Sequence, residues 1–107
     1  MEYLTVTSSL GEDQHATVTV SGEIDAGSCG TLDNELFEAM ASGCTVLDLD
    51  MADVTFMDSS GIRSLVRFGG ELAGIGGRLR IVSLSKAVRQ TLELTGLLQV
   101  YAPGAVG

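Results

Sequence analysis

The sequence predicts a single α/β domain, a mixed β-sheet with helices mainly on one face and elements in the order β-β-α-β-α-β-α-β. Three observations carry this expectation. Two segments of period-two hydrophobicity flank a turn signal near the start. Helical-period segments then alternate with short β-branched runs, and a glycine closes each helical stretch. The 107 residues suffice for one core, so 1–107 reads as one domain with residues 102–107 as a frayed tail.

The first two strands are "YLTVTSS", with Leu4 and Val6 on one face, and "ATVTVSG", with Val18 and Val20. "LGEDQH" between them is a turn, which makes the pair an antiparallel hairpin. After "GEID", Ser28 is a candidate N-cap. Cys29, Leu32, Leu36 and Ala39 or Met40 then recur at helical spacing, and Gly43 closes the helix. "TVLDLDM" is a strand, and a strand–helix–strand succession implies a right-handed crossover to a parallel neighbour.

A second helix follows from "VTFMDSSGIRSLVRF". Ile62, Leu65, Val66, Gly69, Leu72 and Ala73 form its apolar face; Arg63, Ser64, Arg67 and Glu71 lie opposite, and Phe68 sits on the flank. Gly76 and Gly77 end it before the strand "RLRIVSL". Ser85 caps a third helix carrying Val88, Thr91 and Leu92, and Gly96 with Leu97 closes it as a Schellman motif. "LLQVY" is read as a last strand before Pro103 and Gly104. The expected core is Val18, Val20, Leu47, Leu49, Ile62, Leu65, Val66, Leu72, Ile81, Val88 and Leu92.

Composition narrows the function. Fourteen acidic against six basic residues give a formal charge of −8, which repels nucleic acid and anionic lipid as partners. No apolar run spans a bilayer and no signal peptide is visible, so a cytoplasmic domain is expected. Cys29 and Cys44 flank a helix whose roughly 13 residues hold them about 20 Å apart, beyond disulfide reach, and read as two small buried thiols. His15 is the lone histidine, placed in a polar loop, so neither a zinc site nor a metal-bound cofactor is expected.

The junction Asp58-Ser59-Ser60-Gly61 concentrates the chemistry. A nucleophilic serine lacks both the Gly-x-Ser-x-Gly elbow and a base, so no enzyme is expected. Asp48, Asp50, Asp53 and Asp58 match no calcium-loop spacing and read mostly as strand-edge and loop solvation. Asp58 or Ser59 caps the helix in the plainest reading, which leaves a second hydroxyl and a glycine unexplained. A phosphorylation switch explains them better. A helix N-terminus tolerates a phosphate, and about −1.5 to −2 added charges beside Asp58 would repel a partner packed over the turn.

"GEID", "VLDLDMADVTFMDSSGIRSL" and "GGRLRIVSLSKAVRQTLELTGL", in this element order, resemble the STAS domain of bacterial anti-sigma factor antagonists, from about Tyr3 to Tyr101. The resemblance implies that Ser59 is phosphorylated by an anti-sigma factor that is itself a serine kinase, with Ser60 as runner-up. It implies that Asp25 and Asp58 belong to the same surface, and that Asp58 helps orient the hydroxyl and the nucleotide or Mg²⁺ of the kinase complex. The unphosphorylated protein would bind the anti-sigma factor and free the sigma factor; a phosphatase would reset it. The expected partner surface is Asp25, Asp58, Ser60, Gly61, Arg63, Ser64, Arg67 and Phe68.

Two departures stand out. Ile62-Arg63 replaces the Leu-Gly frequent in close relatives, and few residues follow Tyr101 where relatives usually add a helix. The alternative function is a STAS-domain subunit of a stress-signalling complex or of a lipid or anion transporter. Both hydroxyls of the motif are present, which favours the first reading.

Overall fold

The computed structural model describes residues 4–104. Its elements are β1 (Thr5–Leu10), β2 (His15–Ile24), α1 (Cys29–Ala41), β3 (Val46–Met57), α2 (Ser59–Gly74), β4 (Arg78–Leu84), α3 (Lys86–Leu94) and α4 (Leu98–Tyr101). The sheet has the order β1-β2-β3-β4. β1 and β2 form the expected antiparallel hairpin, with Thr5 opposite Ser21 and Leu10 opposite Ala16. Its turn takes Asp13 and Gln14 through left-handed φ values of 58° and 60°. β3 lies parallel to both β2 and β4, as the helical crossovers require.

Alternation sets the two faces of the sheet. Ala16, Val18, Val20, Leu47, Leu49, Leu79 and Ile81 are buried and share one core with Leu32 and Leu36 of α1, Leu65, Phe68 and Leu72 of α2, and Val88 and Leu92 of α3. Each of the three long helices ends in the same device. At Gly43, Gly76 and Gly96 the backbone adopts φ of 98°, 79° and 74°. In every case the glycine N–H and the following N–H return to carbonyls of the last turn; after α3, Gly96 donates to Glu93 and Leu97 to Leu92. Gly77 has a second reason to be glycine: a Cβ there would sit 2.0 Å from the Thr45 carbonyl oxygen.

Several expectations change. "LLQVY" is not a fifth strand but the short helix α4, with Ala102 N–H donating to the Leu98 carbonyl at 2.8 Å. Its burial has helical period: Leu97 and Leu98 are half-buried, Tyr101 is buried, and Gln99 and Val100 are exposed. The Tyr101 ring packs on α2 at Gly69, where a Cβ would come within 2.9 Å of it. Gly69 is thus a close-packing position, whereas Gly70 faces open space.

The buried face of α2 is also rotated by about one position. Gly61, Ser64, Leu65, Phe68 and Leu72 are inside, Ile62 is half-buried, and Val66 is 49% exposed. Both arcs share Leu65 and Leu72. Burying the Phe68 ring removes far more apolar area from water than burying a glycine, and this selects the arc.

His15 is not in a loop. It opens β2, and its Nε2 meets Asp48 Oδ2 at 2.5 Å. Asp48 is not a solvated edge residue either. It is 8% exposed in the central strand and receives Arg80 Nε and Nη2 at 2.7 and 2.9 Å. Burial works against the Asp48 carboxylate, but the hydrogen bonds and charges of Arg80 and His15 outweigh it and hold its pKa below the ordinary value. Both cysteines are free; Cys44 is buried, which pushes its thiol pKa up, and Cys29 only half-buried.

Candidate functional site

β2 and β3 run parallel, so their carboxyl ends lie side by side, and each feeds a helix N-terminus. Such ends are where open α/β sheets place their functional groups. The Asp58 N–H donates to the Ile24 carbonyl at 3.2 Å and locks the two turns together. Asp25 and Asp58, 33 positions apart in sequence, thereby become neighbours in the fold.

Each turn is tied together by its aspartate, but only Asp58 caps a helix. Asp58 occupies the N-cap of α2, and its Oδ1 accepts the Ser60 N–H at 2.8 Å. Asp25 Oδ1 accepts the N–H groups of Gly27 and Ser28 at 2.9 and 3.0 Å. Ser28 does hold the N-cap position of α1, yet its hydroxyl points backward, donating to the Glu23 carbonyl at 2.7 Å. The Asp25 carboxylate closes the turn that leads into α1, and no side chain caps that helix itself.

The two serines differ. Ser59 is the first residue of α2 and is exposed; Ser60 is half-buried, and its carbonyl accepts the Ser64 hydroxyl at 3.3 Å. Gly61 is buried, and a Cβ there would come 2.5 Å from Met57 Cγ and 3.1 Å from Ile24 Cγ2. The glycine of the motif therefore lets the first turn of α2 sit down on the strand ends. From the other side, the Thr91 hydroxyl of α3 donates to the Met57 carbonyl at 2.9 Å.

The rest of the expected surface divides. Arg63 and Arg67 are exposed, and Arg67 pairs with Glu71 one turn on at 3.7 Å. Ser64 and Phe68 are not surface residues: they are 3% and 1% exposed. The Ser64 hydroxyl donates to Asp33 Oδ1 at 2.5 Å and so bonds α2 to α1. Phe68 is core, with the Arg67 guanidinium carbon 4.9 Å from its ring centroid. Phe56, which sequence reasoning passed over, is 45% exposed two residues before Asp58. Val54 and Met57 are buried while Thr55 and Phe56 are exposed, so the strand's alternation breaks there.

The histidine and the exposed serine lie at opposite ends of the sheet. His15 begins β2, whereas Ser59 follows the far end of β3, roughly 30 Å away at strand rise. What the turn presents is an accessible hydroxyl at a helix N-terminus, near the carboxylates of Asp58 and Asp25 and an exposed aromatic ring.

Solved structures share this fold. An anti-sigma factor antagonist from Mycobacterium paratuberculosis superposes with a TM-score of 0.80 and 28% identity, covering 92% of this chain and 82% of that one. The anti-sigma factor antagonist SpoIIAA in its unphosphorylated form gives a TM-score of 0.79 at 19% identity, covering 96% and 100%. The phosphorylated form of the Bacillus cell fate determinant SpoIIAA gives 0.73 at 20% identity, covering 92% and 88%. The family model for the STAS domain matches residues 8–103, and the chain belongs to that family.

Proposed function

We propose that this STAS domain is an anti-sigma factor antagonist switched by phosphorylation of Ser59. In the unphosphorylated form it binds an anti-sigma factor that is also its serine kinase, and the sigma factor is released. Phosphorylation ends the binding, and a phosphatase restores it. The domain itself catalyses nothing.

The observation that carries this reading is the contrast within one turn: Ser59 is exposed at the first position of α2 while Asp58 makes the cap. The hydroxyl is thus free of the capping task, and modifying it leaves the fold's own hydrogen bonds in place. A phosphate there would face the positive end of the α2 dipole, which the fold tolerates. A partner seated over Asp25, Asp58 and Phe56 would instead meet added negative charge beside two carboxylates. The likeness to an anti-sigma factor antagonist at 28% identity supports the same class. Ser64, Phe68 and Gly61 serve this surface from beneath.

The test is incubation with ATP and the kinase recovered on the wild-type protein, followed by phosphosite mapping. Label on Ser59 is expected. Label on Ser60 alone moves the acceptor by one residue, and label on neither serine removes the switch.

A further inference from the structure

The turn at Ser59 is held from three sides. From β2 the Ile24 carbonyl receives the Asp58 N–H, and from α3 the Thr91 hydroxyl donates to the Met57 carbonyl. The third hold comes from α1 and runs through one buried hydroxyl. Ser64 is 3% exposed, and its Oγ lies 2.5 Å from Asp33 Oδ1 and 3.3 Å from the Ser60 carbonyl oxygen.

A serine hydroxyl has one proton to donate, so these two acceptors compete for it. The carboxylate wins, because its bond is charge-assisted and much the shorter. The losing acceptor is the one that matters to the turn. The Ser60 carbonyl belongs to the first turn of α2 and already serves the helix's own main-chain ladder. A serine that also donates to the carbonyl four residues back bends its helix. Here the bend would fall on Ser59, Ser60 and Gly61. Gly61 gives no slack beneath them, since a Cβ there would lie 2.5 Å from Met57 Cγ. A tilt is therefore passed outward, to the exposed hydroxyl.

We propose that Asp33 is a positioning residue for Ser59. By taking the Ser64 proton it keeps the first turn of α2 straight, and so keeps the Ser59 hydroxyl where a kinase would meet it. Asp33 acts from a neighbouring helix, through Ser64 alone, and touches no atom of the turn's surface. The consequence for phosphorylation rests on the function proposed above; the coupling between Asp33 and the turn does not.

NMR spectra of ¹⁵N-labelled variants and phosphorylation kinetics test it together. Asp33→Ala releases the Ser64 proton to the Ser60 carbonyl, so the amides of Ser59, Ser60 and Gly61 should shift. The double variant Asp33→Ala/Ser64→Ala has no hydroxyl to turn, and these amides should move back toward their wild-type positions. A merely structural loss at Asp33 would give no such return. Asp33→Asn keeps an acceptor oxygen in place and should stay near wild type in both measurements. Misplacing a reacting group by 1 Å can cost about 100-fold, so the smaller tilt in Asp33→Ala should lower kcat about three- to tenfold with KM little changed, and the double variant should regain the rate. Turn amides that stay put in Asp33→Ala, or that shift as far in the double variant, would overturn the proposal, as would an unchanged kcat. The spectra are read without the kinase. A wild-type protein that takes no label therefore removes the Ser59 switch, while the coupling stands or falls on the shifts.

Discussion

The main-chain N–H of Asp58 donates to the carbonyl of Ile24 at 3.2 Å. One hydrogen bond thus joins the end of β2 to the start of α2, and everything exposed at the turn is positioned from it. Asp25 follows Ile24 directly, Ser59 follows Asp58, and Gly61 packs against the Ile24 side chain beneath them.

Because Asp58 and not Ser59 makes the cap, substituting Ser59 should leave stability nearly unchanged. Ser59→Ala and Ser59→Asp are expected within about 0.5 kcal/mol of wild type by urea denaturation, whereas Asp58→Ala should cost about 1 kcal/mol. Partner affinity should separate the serine variants: Ser59→Ala binds the anti-sigma factor constitutively and Ser59→Asp binds poorly. A loss of stability in Ser59→Ala as large as that of Asp58→Ala would show that the hydroxyl is structural.

Two phenylalanines should report opposite things. Phe68→Ala empties a fully enclosed core position and is expected to cost about 3–5 kcal/mol of stability. Phe56→Ala removes an exposed ring beside the turn and should weaken partner binding while the melting temperature barely moves. Calorimetry of folding and of binding on the same two variants checks both; unchanged affinity in Phe56→Ala removes that residue from the interface.

Acid should weaken the sheet through Asp48. Its folded pKa is depressed, so the native state binds fewer protons than the unfolded chain over that range. Its contribution is complete above the ordinary aspartate value of about 3.9 and is lost as pH falls through the lower folded value. Urea midpoints measured across this range should fall more steeply for wild type than for Asp48→Asn. At neutral pH, Arg80→Gln should cost about 1–2 kcal/mol, moderated because the Arg80 side chain is 37% exposed.

The paired glycines of α2 should respond differently to alanine. Gly70→Ala meets nothing within 4 Å and should stabilise the helix by about 0.8–1 kcal/mol. Gly69→Ala must push back the Tyr101 ring and should fall well short of that gain. Equal gains at both positions would mean that the ring moves freely.

How much of this was legible in the sequence depended on whether the signal was local. The glycines closing α1, α2 and α3, the Ser85 cap and the hairpin each rest on a few adjacent residues and were readable, while the cap of α2 was narrowed only to Asp58 or Ser59. The fate of "LLQVY" was not: four apolar residues in five suit a strand or a helical turn equally, and the choice rests on the gap that Gly69 leaves for Tyr101. Asp48 was hidden for a similar reason. Its burial is tolerable only because β2 and β4 each bring a partner to it. On α2 the apolar arc could be drawn two ways, and the residues it shared did not decide between them. The exposed serine and its neighbouring carboxylates could be named in advance; Phe56 could not, because its exposure arises where the pairing of β2 with β3 becomes irregular.

The bond from Asp58 to Ile24 also has a bearing on when the turn comes into being. The hairpin of β1 and β2 closes locally, but Ile24 and Asp58 lie at opposite ends of a β-α-β crossover and meet only after β3 has docked alongside β2. A chain still emerging during synthesis, or one unfolded by stress, holds the motif residues without the shape that presents them. On the function proposed above, a kinase that recognises this shape would act only on finished molecules, and phosphate on Ser59 would double as a record that folding was completed.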